Sequence, residues 1–388
     1  MVQIAIRALS SLSWPQGRRC GGGGKPLPHM IGALQMSAGF SIHKNRVVYY
    51  DVLTVCAAFA VVVLHCNGSV HVYSSSLRWT LSLLIEVLFF WAVPVFFMLT
   101  GAKTLSYRDR YSTKEFLIRR CKRIFIPYLA WSAFLYVYRF GIIGDGVSAL
   151  SITGFIDAFM TNAIEPTYWF FIAMTGVTLS VPIISLIISN HSAVRYLILG
   201  TFLLSSVLPY VFGFLGLPWN VDFSIQSSSI YIMYLLIGYE ISKPDFKVSH
   251  RGNCLLTALS MSSLVFRFAY TYLTSSQAME VNRLLFSYGA FTAVFPSVWI
   301  FLTFKKLEPV FTSRMDGRGG RLLTSASQAS FGIYLIHKLL LDNIICGTMH
   351  VSMNSLWLKT VGPIIVFTSC WTIVTLLRKI PGFKALIP

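Results

Sequence analysis

Two pairs of ionisable residues set the chemistry open to this chain. The first is Asp51 and His65, at the ends of an apolar run that begins Tyr49-Tyr50-Asp51-Val52-Leu53-Thr54 and ends His65-Cys66-Asn67-Gly68. They are fourteen positions apart, close to four turns of helix, so they share one face and lie about 21 Å apart along the axis. A histidine can take and return a proton near neutral pH, because its unperturbed pKa is about 6.5. In or at the lip of a membrane helix it is costly to keep, since hydrocarbon offers no hydrogen-bond partner. The alternative is a helix-end His solvated by headgroups or satisfied by a neighbouring helix. Cys66 beside it reads as a small packing residue, because adjacent positions diverge by about 100° on a helix. The second pair is Arg120 and Arg123, one helical turn apart. Their forked guanidiniums suit the bidentate oxygens of phosphate groups. They sit with Arg119 in a cationic loop, and such clusters at a membrane surface also set orientation or bind anionic lipid.

The elements that must position these groups are membrane helices. The 388 residues are 55% hydrophobic, 15% aromatic and only 12% charged, with mean hydropathy +0.66. A soluble globular chain carries about a quarter charged residues. Lys and Arg outnumber Asp and Glu 32 to 14. On a soluble protein that excess would suggest nucleic acid, but here it sits in short loops between apolar runs, as positive-inside bias does. The seven cysteines include no C-x-x-C pair and most lie in or beside apolar runs, so neither a disulfide framework nor a metal site is suggested.

Residues 1–44 stand apart, with four consecutive glycines (Gly21 to Gly24), three prolines and no sustained periodicity. They read as a disordered cytoplasmic tail rather than a secretory signal, whose apolar core would be longer. Beyond them the expected fold is an all-α, polytopic integral-membrane bundle over residues 45–381. About ten apolar runs have spanning length, near 47–66, 79–101, 124–142, 168–189, 194–214, 226–243, 253–273, 284–304, 325–346 and 357–378. The loop between the second and third runs carries eight Lys or Arg against Asp109 and Glu115, whereas residues 143–167 carry three acidic residues and no Lys or Arg. An even number of spans with both termini cytoplasmic satisfies every loop at once. That places His65 at the outer end of its helix and the arginine pair at the inner face.

Several stretches, in order, resemble the acyltransferase 3 family of integral-membrane proteins. The D-x-L-T block running through to H-C-N-G is similar to the family's first helix, and Phe90-Trp91-Ala92-Val93-Pro94 to its second. Arg120-Cys121-Lys122-Arg123, followed by Ile124, Pro127 and Tyr128, resembles its R-x-x-R loop. Glu165-Pro166-Thr167-Tyr168-Trp169 and Phe331-Gly332-Ile333-Tyr334-Leu335-Ile336-His337 resemble its fourth and penultimate spans. One departure is clear: the family usually has Arg eleven residues before the His, and here that position is Thr54.

The resemblance implies transfer of an acyl group, most often acetyl, from acyl-coenzyme A to a hydroxyl of a surface glycan, glycolipid precursor or related acceptor. It implies a multi-pass protein of the cell (inner or plasma) membrane, with the membrane domain alone and no metal. Arg120 and Arg123, with Arg119, would hold coenzyme A phosphates. His65 would be general base or acyl carrier, oriented by Glu86 or, less directly, Asp51. Asn67, Trp169, Arg139, Arg267 and His337 are candidates for the acceptor site, although Tyr168 and Trp169 also fit an interfacial aromatic belt. Intramembrane charges such as Glu86, Arg139, Glu240 and Arg267 tend to face a polar cavity or to pair structurally. A reading from another class is a secondary transporter or lipid-linked glycan exporter, compatible with the span number but lacking an internal repeat. An inactive relative, motivated by Thr54, is a third.

Overall fold

The computed structural model describes residues 46–388 apart from 145, 227, 315 and 316. The tail expected over 1–44 lies outside the described residues. Among those described every regular element is a helix, and no strand occurs.

Helix α1, Val48–Cys66, is the axis of the bundle. Its first turn is held by a carboxylate from far along the chain. The Val48 N–H donates to Glu308 Oε1 at 2.9 Å and the Tyr49 N–H to Oε2 at 2.5 Å. A helix leaves its first N–H groups unpaired and its positive end favours an anion, so one carboxylate answers both needs. Helices α2 (Leu77–Phe89) and α3 (Ala92–Thr104) follow, interrupted only at Phe90 and Trp91, within one helical stretch over Leu77–Asp109. Next come α4 (Thr113–Arg120), a π-helical turn over Cys121–Phe125, and α5 (Ile126–Tyr136). The other helices that concern the site are α6 (Trp169–Ile187), α7 (Ile230–Ser242), α8 (His250–Ala278), α9 (Phe291–Lys306), α10 (Arg318–Leu339) and α11 (Gly362–Leu377).

Among the described residues, seven helical stretches are long and apolar enough to cross a bilayer. Three of the ten expected runs, 226–243, 284–304 and 357–378, instead hold α7, α9 and α11, of 13, 16 and 16 residues. At about 1.5 Å per residue these reach roughly 20–24 Å, short of a hydrocarbon core of about 30 Å.

Two contacts fix the bundle around α1. Helices α3 and α7 cross with their backbones touching. A Cβ on Gly101 would lie 1.8 Å from the Leu235 carbonyl oxygen, and one on Gly238 2.1 Å from that of Met98. Only glycine fits there, and close backbone approach is how helices gain contact in lipid. Across the bundle, Tyr168 Oη donates to the Leu335 carbonyl at 2.9 Å and Tyr334 Oη to the Thr167 carbonyl at 2.7 Å. This reciprocal clasp ties α10 to the start of α6. Helix α1 packs against α3 and α10, which carry two of the expected motifs, and against α11.

Candidate active site

Helix α1 passes two cavities. Val61, Leu64 and His65 on its last turns line one of about 290 Å³. Thr54, three turns earlier, lines a second of about 280 Å³. The side chain common to both is Tyr334 of α10, which stands between them with its hydroxyl fixed on the Thr167 carbonyl.

In the first cavity His65 is half-buried, opens onto the space and makes no hydrogen bond among the described residues. Its ring centroid lies 4.9 Å from that of His337, at an interplanar angle of 44°. His337 is fully buried, and its Nδ1 faces the carbonyls of Tyr334 at 2.7 Å and Ile333 at 3.2 Å. Carbonyls only accept, so Nδ1 carries the proton, and Nε2 is buried with no partner among the described residues. The two histidines that end separate motifs in the sequence therefore meet.

The cavity wall continues through Glu86, which is 5% exposed, and an aromatic column. Arg267 lies over the Phe90 ring at 3.6 Å, Phe90 stacks on Tyr288 at 4.4 Å, and Tyr288 on Trp169 at 5.6 Å. Arg267 is electrostatically coupled to Glu86 and is 1% exposed, with Nε and Nη2 unpartnered among the described residues. At the mouth, Arg283 reaches the His71 carbonyl at 3.5 Å. Burial and then the Arg283 charge hold the His71 imidazole below its ordinary pKa, which keeps it neutral.

The second cavity is cationic at one end and apolar at the other. Lys103, Arg120 and Arg123 line it together with Phe170, Phe171 and Phe331. Arg120 closes α4 and Arg123 sits in the π-helical turn, a distortion frequent at functional sites. Lys103 Nζ donates to Thr54 Oγ1 at 3.4 Å and lies 5.5 Å over the Tyr50 ring, so a cation from α3 stands beside position 54.

The family profile of acyltransferase domains matches residues 47–377. The chain belongs to the acyltransferase 3 family. No curated protein and no solved structure matches it. Family membership, with apolar helices of spanning length, makes it a membrane acyltransferase.

On this acyltransferase 3 framework the expected site residues divide into groups. His65, Glu86 and Trp169 line one cavity, with His337 against His65 and Arg267 behind Phe90. Arg120 and Arg123 line the other, whereas Arg119 turns outward and bonds Glu115 at 2.7 Å. Asp51 is not brought to His65: its Oδ1 accepts from Ser327 at 2.6 Å. Arg139 is paired with Glu165 and donates to the Ile164 carbonyl at 2.9 Å, away from both cavities. Glu240 pairs with Lys243. Asn67 is buried at the end of α1, its Nδ2 donating to the Ser82 carbonyl at 2.8 Å. Cys66 is wholly buried in the core. Lys103, Tyr334, Tyr288 and Arg283 are among the lining residues that sequence reasoning did not single out. Tyr334 lay inside the F-G-I-Y-L-I-H motif and Lys103 inside the loop charge. Nothing in the local sequence marked Tyr288 or Arg283.

Proposed function

We propose that the protein is an acyl-coenzyme A-dependent O-acyltransferase that works across the membrane plane. The observation that carries this is Tyr334 standing between a cationic, aromatic-walled cavity and a histidine cavity on one helix. The cationic end suits phosphates, since guanidiniums bind them with two parallel hydrogen bonds. The aromatic end suits an acyl-pantetheine arm. From Thr54 to His65 the helix rises about 16 Å, so an elongated donor entering beside Arg120 and Arg123 would bring its thioester toward Tyr334 and the histidines.

In the transfer step the acceptor hydroxyl oxygen bonds to the thioester carbonyl carbon. The C–S bond breaks, and the hydroxyl proton passes through His65 to the departing thiolate. The His65 imidazole, which lines the histidine cavity beside Tyr334, is the group to carry it, with His337 backing its ring. The alternative route, through an acyl group held on His65, uses the same residue as nucleophile. The acceptor cavity, with Glu86 beside the stacked Phe90, Tyr288 and Trp169 rings, fits a sugar ring bearing hydroxyls. This supports a surface glycan or glycolipid precursor as acceptor and acetyl as the group moved.

The orientation follows from loop charge: the arginine cavity faces the cytoplasm and the histidine cavity the outside of the cell membrane. Helices α7, α9 and α11 would complete ten crossings with the irregular segments that flank them. Purified protein in lipid nanodiscs tests the reading. It should bind acetyl-coenzyme A and release free coenzyme A in proportion to acylated glycan. Acceptor transport without coenzyme A consumption would refute it.

A further inference from the structure

Next to the cationic cavity lies a wider groove, of about 760 Å³, which shares Arg123 with it. Its cations come from two distant segments: Arg119, Lys122 and Arg123 from the α4 end, Arg378 and Lys384 from the end of the chain. Among the described residues no Asp or Glu side chain lines it. Arg119 is neutralised by Glu115, which leaves Lys122, Arg123, Arg378 and Lys384 facing one space. Arg123 and Arg378 both line it, so their like charges add in one space. Like charges held together in this way favour an anion between them.

The second wall is built into the fold. Ile387 is wholly buried, with a Cβ on Gly332 of α10 falling 2.4 Å from its side chain. Trp131 of α5 donates its indole N–H to the Leu386 carbonyl at 3.1 Å. Lys384 is thus carried on a segment pinned at two points, to α10, which lines both cavities, and to α5, whose Ile126 lines the groove itself.

Resting on the acyl-coenzyme A reading above, we infer that this groove holds the 3′-phosphoadenosine end of the donor. The diphosphate then lies at Arg120 and Arg123, and the 3′-phosphate between Arg378, Lys384 and Lys122. Coenzyme A carries its phosphates in two groups separated by a ribose. Two cationic sites joined by one shared arginine match that division. An anionic lipid headgroup presents the same phosphate chemistry, so the test must separate the two sources.

The experiment measures binding of coenzyme A and 3′-dephospho-coenzyme A to the full-length protein in phosphatidylcholine nanodiscs. The wild type should prefer coenzyme A by roughly ten- to a hundredfold, the range for charge-assisted phosphate contacts. The Arg378→Gln/Lys384→Gln protein should lose that preference while keeping its affinity for the dephospho form. The Arg378→Lys/Lys384→Arg protein should retain most of it, which separates charge from folding. A glutamine variant that keeps the preference, or loses affinity for both forms equally, overturns the assignment. A wild type that binds both forms equally overturns the groove alone. Binding of neither form overturns the donor reading and the groove with it. Repeating the titration with phosphatidylglycerol in the disc identifies a lipid site. Retention of that lipid by the wild type and its loss from the glutamine variant, with the coenzyme A preference intact, would replace nucleotide by headgroup.

Discussion

His65 and His337 hold their rings 4.9 Å apart, one opening onto a cavity and the other sealed behind it with Nδ1 fixed on a carbonyl. Nε2 of His337 is buried with no hydrogen-bond partner among the described residues, so packing alone does not account for it. If the pair moves the proton together, His65→Gln should leave donor binding intact and cut transfer by roughly 10²–10⁴-fold, the range for one general base. His337→Gln should also reduce transfer. The double variant should be little worse than His65→Gln alone, because groups that act as a unit are not additive. Losses that multiply would make the histidines independent, and a fully active His65→Gln protein would move the chemistry elsewhere.

The arginine pair makes a contrasting prediction within one loop. Replacing both Arg120 and Arg123 by Gln should weaken acyl-coenzyme A binding by about 1.5–3 kcal/mol per lost contact. Arg108 and Arg110 are already engaged: Arg108 donates to Ser185 Oγ at 2.8 Å and the Pro182 carbonyl at 2.9 Å, and Arg110 to the Lys103 carbonyl at 3.1 Å. Their Gln variants should lower thermal stability and spare donor affinity. Equal loss of affinity from both pairs, by calorimetry, would mean that diffuse surface charge matters instead.

The glycine crossing is a stability prediction. Gly101→Ala and Gly238→Ala place a methyl against rigid backbone, so each should cost about 1–3 kcal/mol or more. Gly176 of α6 meets nothing within 4 Å, and Ala there should be neutral or stabilising by about 0.5–1 kcal/mol. Unfolding temperatures of the three variants in detergent check the ranking. An Ala at 101 as well tolerated as one at 176 would mean that α3 and α7 can separate.

How much of this was legible in the sequence depends on the range of the contact. The helical class, the D-x-L…H-x-N-G block and the R-x-x-R pair each lie along one continuous helical stretch or at its end, so local spacing carries them. The placing of Arg267 over Phe90, or of His65 against His337, joins separate helices and has no local signature. Asp51 illustrates the opposite case. Face periodicity aligned it with His65, but four turns of straight helix kept them apart and Ser327 took the carboxylate. Apolar run length and helix length part at α7, α9 and α11, where apolar composition continues into turns. Hydropathy does not see a helix end.

Topology is tested by reporters fused near Gly146 and Gly317. The loop charges place the first outside and the second in the cytoplasm. The reverse pair of readings would put the arginine cavity on the outer face, where acyl-coenzyme A is not supplied, and would overturn the donor side.

Tyr334 is the position at which separation of the two cavities can be tested directly. It is 8% exposed, lines both spaces and donates to the Thr167 carbonyl at 2.7 Å. Tyr334→Phe keeps the ring and removes that bond, so it should cost about 0.5–1.5 kcal/mol of stability and change transfer little. Tyr334→Ala removes the partition. Water from the histidine side then reaches the thioester, and a well-placed base activates water as readily as a sugar hydroxyl. The expected outcome is slower transfer to the acceptor with faster release of free coenzyme A when no acceptor is present, read by thiol titration. The Phe variant should show neither change. If Tyr334→Ala folds, transfers at the wild-type rate and hydrolyses no donor, the tyrosine is packing between helices and the route from arginines to histidines lies elsewhere in the bundle.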